Sequence, residues 1–281
     1  MLALSAHNQF HGSITNYGAT MTDAGFGTTV PAHANAHTKG AAGALIAGAS
    51  VSSDVYGIAV LACGGNSNAA VHRFLLDLLV DPAGGTSWST LIANILFHSP
   101  SFQKGLYQYF FPLWLKAGSS IGAQQQSSTA AQGIQIGVRL LTKPSRPELI
   151  KVGYTAESYG AVTASTSGTA ITVGNGVAGA WTSVGTTAGR PWWWQAGLAS
   201  DDTSMTMAGA LLDVSVGDAA NKRLAAEGIL YSNDSTERVG KAAVGEYQPV
   251  MQAVPAETVY MRGTAPGAPD TSTTVCAYGV I

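Results

Sequence analysis

The six histidines are the first residues in this sequence that could do chemistry, because all of them lie within its first 98 residues. They are His7, His11, His33, His37, His72 and His98. His7 and His11 are four residues apart, and so are His33 and His37. This spacing puts two metal-binding imidazoles on one face of a helix. Pro31 and the glycines nearby make a helix unfavourable there, although a homotrimer could still bring one imidazole per chain to a divalent ion. We therefore keep His33 and His37 as weak metal candidates beside the simpler interpretation of surface or arm histidines.

Two aspartates recur at matching places in similar strings, Asp77 in LLDLLVD and Asp213 in LLDVSVGD. Asp77 with Asp213, or Asp77 with Asp81, could be the carboxylate pair of a glycosidase or a calcium site. Duplication of one outward-facing strand position explains the recurrence more simply. We therefore expect solvated carboxylates at these positions.

No motif in the sequence assigns an enzymatic activity. It contains no paired CxxC and no HExxH. The sequence therefore predicts a protein that is not an enzyme and that uses no cofactor. A hydrolase with catalytic residues dispersed along the chain stays an alternative, because such residues need not be close in sequence.

The string RPWWWQAG places three tryptophans in a row, Trp192, Trp193 and Trp194. In a strand, the first and third share one face and the second takes the other, so one face could fill a core while the other forms a platform. Core packing, a subunit interface and stacking on a sugar ring are the three interpretations. Trp114, in FFPLWLKAG, is a further candidate of the same kind.

The composition excludes several classes of partner. Charged residues make up 11% of the chain, against about 25% in an average soluble domain. A formal net charge of -2 gives no basic surface for nucleic acid. No apolar run approaches the ~20 residues that span a bilayer, and the first residues lack the pattern of a signal peptide. We predict two buried free thiols for Cys63 and Cys276, with a disulfide as the alternative.

The sequence repeats itself at a nearly constant offset. NYGATMT matches SYGAVTA with Tyr17 over Tyr159, and Asp77 matches Asp213. GAL at Gly43 matches GAW at Gly179, and the Tyr-Gln pair at residues 107–108 matches the pair at residues 247–248. Loop insertions and deletions explain the small drift in offset. We infer one module used twice, with about residues 17–141 repeated in the second half.

Each copy is typical of antiparallel β-structure. GIQIGVRLL alternates apolar and polar residues with the period of a half-buried strand, and so does FLLDLLVD. Pro112 predicts that LYQYFFPLWLKAG forms an edge or bulged strand. Only TLIANILF and KRLAAEGIL are candidates for a helical turn.

We therefore predict an all-β fold of two tandem homologous antiparallel β-sandwiches, jelly-roll-like, with an extended N-terminal arm. Residues 1–40 would be the arm and first strand, and residues 41–142 the first β-sandwich. Residues 143–158 would be a linker, and residues 159–281 the second β-sandwich. The arm could become ordered on a neighbouring subunit or be a mobile terminus.

The succession GTTVPAHANAHTKGA, DVYGIAVLA, LLDLLVD, YFFPLWLKAGSSIGAQQQSS and IQIGVRLL resembles β-sandwich virion proteins encoded among the structural genes of tailed bacteriophages. The resemblance covers the first half well and the second in outline. In the second half Pro255-Ala256-Glu257 replaces Lys116-Ala117-Gly118, and the three tryptophans replace Tyr56-Gly57-Ile58. The resemblance implies a structural part of a phage particle, in the tail, neck or head exterior. It implies no catalytic residue.

Composition and resemblance together predict a virion protein that forms a homo-oligomer and contacts other virion proteins. A surface poor in charge suits burial against neighbouring subunits. The alternative is a glycan-binding module that recognises a host surface, with the three tryptophans as its stacking platform.

Overall fold

The computed structural model of the chain describes residues 13–17, 21–22, 25–65, 72–99, 106–144, 147, 150–200, 209–232, 241–242, 253–267 and 273–281. The strands of the first half are β1 (Ser13–Tyr17), β2 (Met21–Thr22), β3 (Gly25–Phe26), β4 (Thr28–Val30), β5 (Gly43–Ile46), β6 (Val55–Gly65), β7 (His72–Asp81), β8 (Ser89–Ser99), β9 (Leu106–Phe111), β10 (Ser120–Ser127) and β11 (Ile134–Thr142). Those of the second half are β12 (Ala156–Tyr159), β13 (Thr169–Ile171), β14 (Gly174–Asn175), β15 (Thr182–Thr186), β16 (Trp193–Ser200), β17 (Gly209–Gly217), β18 (Lys222–Ser232), β19 (Lys241–Ala242), β20 (Thr258–Ala265) and β21 (Thr273–Val280). One 3-10 turn, Gly48–Ser50, lies between β5 and β6. Across these described ranges no helix is long and apolar enough to cross a membrane.

The first half is a sandwich with the strand order of a jelly roll. One sheet has the order β1-β11-β6-β9, with β4 also paired to β11, and the other runs β5-β10-β7-β8. The pairings within both sheets are antiparallel. Apolar residues at alternate positions of both sheets, such as Ile58, Leu76 and Leu140, are buried, as stacked sheets require.

The second half repeats these pairings. β12, β21 and β16 take the places of β1, β11 and β6, and β13 takes that of β4. β15, β20, β17 and β18 take the places of β5, β10, β7 and β8. The equivalent pairs are again antiparallel. The predicted all-β fold of two tandem, jelly-roll-like sandwiches is confirmed.

The two sandwiches share one sheet. β12 pairs in parallel with β8, where Ala156 lies opposite Ile92, so the strands of the first half continue into β12, β21, β13 and β16. Buried apolar residues from both halves belong to a single cluster. The core of one half is therefore continuous with the core of the other.

Tyrosine hydroxyls complete the edge of β8 beyond this parallel bridge. The hydroxyl of Tyr278 accepts the N–H of Leu96 at 2.7 Å and donates to the carbonyl of Asn94 at 3.0 Å. The hydroxyl of Tyr109 donates to the carbonyl of Leu96. Because buried backbone groups need partners, these tyrosines satisfy an edge that β12 does not reach.

The strand predictions are confirmed, and the two helical candidates are wrong. GIQIGVRLL and FLLDLLVD form β11 and β7, and β9 is an edge strand that ends at Phe111, directly before Pro112. TLIANILF and KRLAAEGIL instead lie in β8 and β18. Both strands contain a bulge, at Asn94 and Gly228, each with positive φ. An extra residue breaks the period of two, which is why these strings look helical.

The predicted arm and linker are integrated into the sandwiches. β1 and β4 pair with β11, and the amides of His37 and Gly40 donate to carbonyls of β10. β1, β4 and the residues 37–40 therefore belong to the first sandwich, β2 and β3 pair with each other, and residues 1–12 lie outside the described residues. The predicted linker includes the start of β12, and its Gly153 hydrogen-bonds to Pro112 and Trp114 of the first half.

Candidate functional site

Trp193 and Trp194 begin β16, between the two sandwiches, and both are fully buried. The indole N–H of Trp193 donates to the carbonyl of Phe110, and the two rings pack edge to face. Trp194 packs instead on Tyr159 of the second half, with ring centroids 5.7 Å apart. An exposed platform at these two residues is therefore ruled out, because the two faces of β16 fill two different parts of the core.

Trp192 and Trp114 are only partly buried and lie where the two halves meet. Trp114 contacts Tyr154 edge to face with ring centroids 6.0 Å apart, and the Tyr154 side chain is 71% exposed. The ammonium group of Lys151 lies 4.4 Å from the centre of the Trp192 ring. We call Trp114, Lys151, Tyr154 and Trp192 the aromatic seam.

Backbone hydrogen bonds hold the aromatic seam in place. The amide of Trp114 donates to the carbonyl of Gly153, and the amide of Tyr154 donates to the carbonyl of Ile281. The amide of Trp192 donates to the carbonyl of Val280. The backbones of Trp114, Tyr154 and Trp192 are therefore each hydrogen-bonded to a neighbouring segment, which fixes the positions of their side chains.

The most exposed ring of the aromatic seam is that of Tyr154. An exposed tyrosine ring beside a tryptophan can stack on a sugar ring or pack against an apolar partner, with its hydroxyl left for water. Burial lowers the pKa of Lys151 because it disfavours the charged form. The face of Trp192 is already occupied by this cation, so the ring of Tyr154 is the part of the seam open to a ligand.

Asp77 is buried and engaged by the protein. Its Oδ1 accepts the ammonium of Lys39 at 2.7 Å and the backbone N–H of Asn94 at 2.8 Å. Its Oδ2 accepts the side-chain amide of Gln124 at 2.8 Å. Desolvation lowers the pKa of Lys39, and the nearby Asp77 carboxylate opposes that shift.

Asp213 repeats this arrangement in the second half. Its Oδ1 accepts the backbone N–H of Gly228 at 2.9 Å, and its Oδ2 accepts Nε of Arg262 at 2.8 Å. Arg262 lies opposite Asp213 in register and stacks over the ring of Trp181. Each aspartate thus fixes the left-handed bulge residue of the next strand. The expectation of solvated carboxylates is wrong for both, because both are buried.

Asp81 and Asp77 share no hydrogen-bond partner among the described contacts. Its carboxylate accepts the backbone amides of Ala83 and Ser87 in the turn between β7 and β8. These hydrogen bonds stabilise the charged form and lower the pKa of Asp81. Asp81 therefore shapes a turn.

The bulge contacts were not predicted from the sequence. The donors to the two aspartates are not identified by any local pattern. They include the side chains of Lys39 and Arg262 and the backbone amides of Asn94 and Gly228. The one available signal was the repeat itself, which paired the two aspartates. For Asp213, Gly228 could have suggested a bulge residue with positive φ, because glycine favours that conformation.

The histidine candidates do not meet in the described structure. Nδ1 of His33 accepts the backbone N–H of Asn35, and the backbone of His37 is bonded to Ser127. Within the described ranges, no group of three or more His, Cys, Asp and Glu residues could hold a metal ion. His7 and His11 lie outside the described residues, as do the side chains of His72 and Cys63.

Cys276 is a free, buried thiol on β21. Burial raises its pKa to about 12. A thiol that keeps its proton is a poor nucleophile and metal ligand. Cys276 is therefore a packing residue of the second half.

Comparison with known proteins gives only weak neighbours. No family model and no curated protein matches the sequence. The structure of PNGF-II aligns with a TM-score of 0.41 and 9% identity over 90% of this chain and 65% of that one. This chain therefore spans 65% of the PNGF-II chain.

Two further solved structures align over nearly the whole chain. A structure of Sulfolobus Turreted Icosahedral Virus has a TM-score of 0.36 and 9% identity, over 96% of this chain and 90% of that one. The tandem CBM22-1-CBM22-2 domain of Paenibacillus barcinonensis Xyn10C has a TM-score of 0.25 and 12% identity, over 96% and 92%. Scores this low identify no family.

Proposed function

We propose that this chain is a non-enzymatic structural component of a tailed-bacteriophage particle, in the tail, neck or head exterior. In the virion it would contact copies of itself and other virion proteins. The observation that carries the proposal is the fusion of two jelly rolls through one sheet and one core. Jelly rolls recur in viral capsid domains as well as in lectins, and a continuous two-module block is a suitable unit to repeat in a particle. The residue-level resemblance to phage virion proteins supports the same role.

The fate of the candidate catalytic groups also supports a structural role. Asp77 and Asp213 are buried and hydrogen-bonded within separate sandwiches, each to its own bulge. A glycosidase pair needs two carboxyl groups that flank one bond of the substrate. These two carboxylates instead stabilise strands, so the proposal assigns them no catalytic role.

The test is the mass of the purified full-length protein by light scattering after size exclusion, with negative-stain electron microscopy of the main peak. A closed assembly such as a trimer, a hexamer or a larger ring is expected, because repeated parts of particles have closed symmetry. A protein that stays monomeric up to the highest soluble concentration would contradict the proposed self-assembly.

A second candidate function is glycan recognition at the aromatic seam. The observation that favours it is the exposed ring of Tyr154 against Trp114. Aromatic rings of this kind stack on the apolar face of a sugar. The buried Trp193 and Trp194 take no part in this candidate, which differs from the platform predicted from the sequence.

A glycan array separates this candidate from the structural role. Glycan recognition predicts binding that Tyr154→Ala reduces at least tenfold. Val177→Ala, at an exposed apolar side chain elsewhere in the second half, should leave the binding unchanged. The absence of any bound glycan would remove this candidate and leave the structural proposal standing.

A further inference from the structure

Three leucines on the outer face of the second sandwich are exposed, and we call them the leucine face. Leu211 is 44% exposed, Leu224 is 40% and Leu230 is 49%. Leu211 on β17 lies directly opposite Leu230 on β18, and Leu224 lies opposite Ser215 in the same pair of strands. Exposed apolar patches of this kind mark interaction sites on soluble proteins.

The equivalent leucines of the first sandwich are completely covered. With Asp77 equivalent to Asp213, Leu75 corresponds to Leu211, and its register partner Leu96 corresponds to Leu230. Both Leu75 and Leu96 have no exposed surface. The two leucine pairs occupy the same place in the same fold and differ only in what lies on top of them.

The cover of the first pair is the second sandwich. Gly197 on β16 lies so close that a Cβ there would come within 3.1 Å of Cβ of Leu96. Beside Leu75, the amide of Gln126 donates to the carbonyl of Thr163 at 2.6 Å. Arg73 of β7 reaches the carbonyl of Thr166 at 2.6 Å. A jelly roll of this chain is therefore a demonstrated occupant of this kind of face.

Two cations beside the leucine face have partners within the chain, whereas the exposed Glu227 on β18 has no ion pair among the described residues. Arg262 bonds to Asp213 and covers the ring of Trp181. Lys222 lies over the ring of Tyr260, 4.8 Å from its centre. Paired charges beside leucine and aromatic side chains are typical of protein interfaces. Because both aromatic rings carry a cation, stacking of a sugar on them is disfavoured.

We propose that the leucine face binds a second copy of this chain. The occupant follows from the internal repeat, because the same face of the first sandwich is covered by a sandwich of the same chain. This inference rests on the self-assembly part of the proposed function and names its contact surface. It does not depend on which part of the particle the protein belongs to.

The experiment compares Leu230→Glu with Val162→Glu, a matched change at an exposed apolar residue between β12 and β13, which belong to the other sheet of the second sandwich. Light scattering of the full chain over a concentration series gives the mass and the concentration at which the assembly dissociates. We expect Leu230→Glu to raise that concentration at least tenfold, while Val162→Glu matches the wild type. Circular dichroism and thermal melting check that both variants are folded.

The outcomes separate this surface from the proposed function. A wild-type ring whose mass is the same in Leu230→Glu would overturn the leucine face and leave the proposed function intact. A wild-type dimer, without a ring, that dissociates in Leu230→Glu would support the leucine face and contradict the particle role. A wild-type monomer at every concentration would overturn both.

A thiol-labelling measurement covers the case in which Leu230→Glu fails to fold. In a Cys63→Ser background, Leu230→Cys is labelled with a maleimide above and below the concentration at which the assembly dissociates. We expect the labelling rate of Leu230→Cys to fall at least fivefold in the assembly and that of Val162→Cys to stay the same. Equal labelling rates of Leu230→Cys in the two states would overturn the leucine face.

Discussion

The two sandwiches use the same aspartate for the same task and yet expose equivalent residues very differently. Asp77 and Asp213 each bind the amide of a left-handed bulge residue on the following strand. Two residues earlier, Leu75 is buried and Leu211 is almost half exposed. Hydrogen bonds within a sheet are therefore properties of the module, whereas the burial of its outer face depends on what is packed against it.

The two aspartates differ in the side chains that bind them. Asp77 faces Lys39 and Gln124, and Asp213 faces Arg262, which also stacks on Trp181. Lysine on a long flexible side chain reaches across the sheet to Asp77, whereas the planar guanidinium pairs with an aromatic ring and a carboxylate together. Each cation therefore has a second partner of a different kind, the carbonyl of Leu75 for Lys39 and the ring of Trp181 for Arg262.

The largest expected effect comes from removing the carboxylate of the first half. Asp77→Ala leaves the backbone amide of Asn94 and the side-chain amide of Gln124 without their acceptor, removes the ion-pair partner of Lys39, and should cost about 3–5 kcal/mol of unfolding free energy. Asp213→Ala should cost less, about 1–2 kcal/mol, because its described contacts are two donors, Gly228 and Arg262, where Asp77 has three. Urea denaturation followed by tryptophan fluorescence gives both values. The double variant Asp77→Ala with Lys39→Met should recover part of the loss, and equal costs for the two single variants would contradict the comparison.

Truncation of the equivalent leucines should give a strong contrast. Leu75→Ala removes a fully buried side chain and should cost about 3 kcal/mol. Leu211→Ala, at the exposed equivalent, should change the unfolding free energy of the monomer by less than about 1 kcal/mol. Thermal melting of both variants at low protein concentration measures the difference. A similar loss in both would mean that Leu211 is covered in solution even without a partner.

Removal of the tyrosine hydroxyl at the shared edge should have an intermediate effect. Tyr278→Phe leaves the buried N–H of Leu96 without a partner and should cost about 1–3 kcal/mol. Tyr231→Phe removes the hydroxyl that donates to the carbonyl of Ala196 and that also hydrogen-bonds with Tyr109 and the backbone of Leu198, and should cost a similar amount, about 1–3 kcal/mol. Hydrogen exchange should report faster exchange at Leu96 in the first variant alone. Unchanged exchange there would refute the role of Tyr278 as a cap of β8.

The effect that is smallest near neutral pH is a loss of stability that develops at alkaline pH in the second half. Burial raises the pKa of Cys276 from 9.0 to about 12 and raises the pKa values of Tyr231 and Tyr278 as well. A pKa that is higher in the folded state gives stability that is complete below the unfolded pKa and is lost as pH rises through the folded one. Unfolding free energies measured between pH 8 and 11 should therefore fall, and the fall should be shallower in Cys276→Ala. A pH-independent free energy would contradict the buried thiol.

The sequence was sufficient for the strands and for the repeat, because alternation and self-similarity are local or one-dimensional patterns. It indicated β7, β11 and the edge character of β9 from apolar period and from Pro112. It failed at β8 and β18, where a bulge adds one residue and removes the period on which the prediction depends. Tertiary partners such as Lys39 lie 38 residues from Asp77, and no local pattern encodes that contact.

The tryptophan string shows the same limit. Alternation correctly places neighbouring indoles on opposite faces of a strand, but it does not reveal that both faces of β16 are covered. That coverage results from the docking of two sandwiches, which is a property of the whole chain. Tyr154, the exposed ring of the aromatic seam, was not singled out because it lies in a segment whose composition indicates a linker.

The cap that Tyr278 places on Leu96 joins residues 182 positions apart in the chain, and this separation affects how the protein is made. At roughly 5–20 residues per second, a ribosome needs about 10–40 s between these two residues. During that interval the strands of the first half can pair, while the outer surface at Leu75 and Leu96 has no cover. The nascent chain is then prone to aggregation, since late contacts of high sequence separation form slowly. A chaperone that shields apolar surface during this interval should therefore raise the yield of soluble protein.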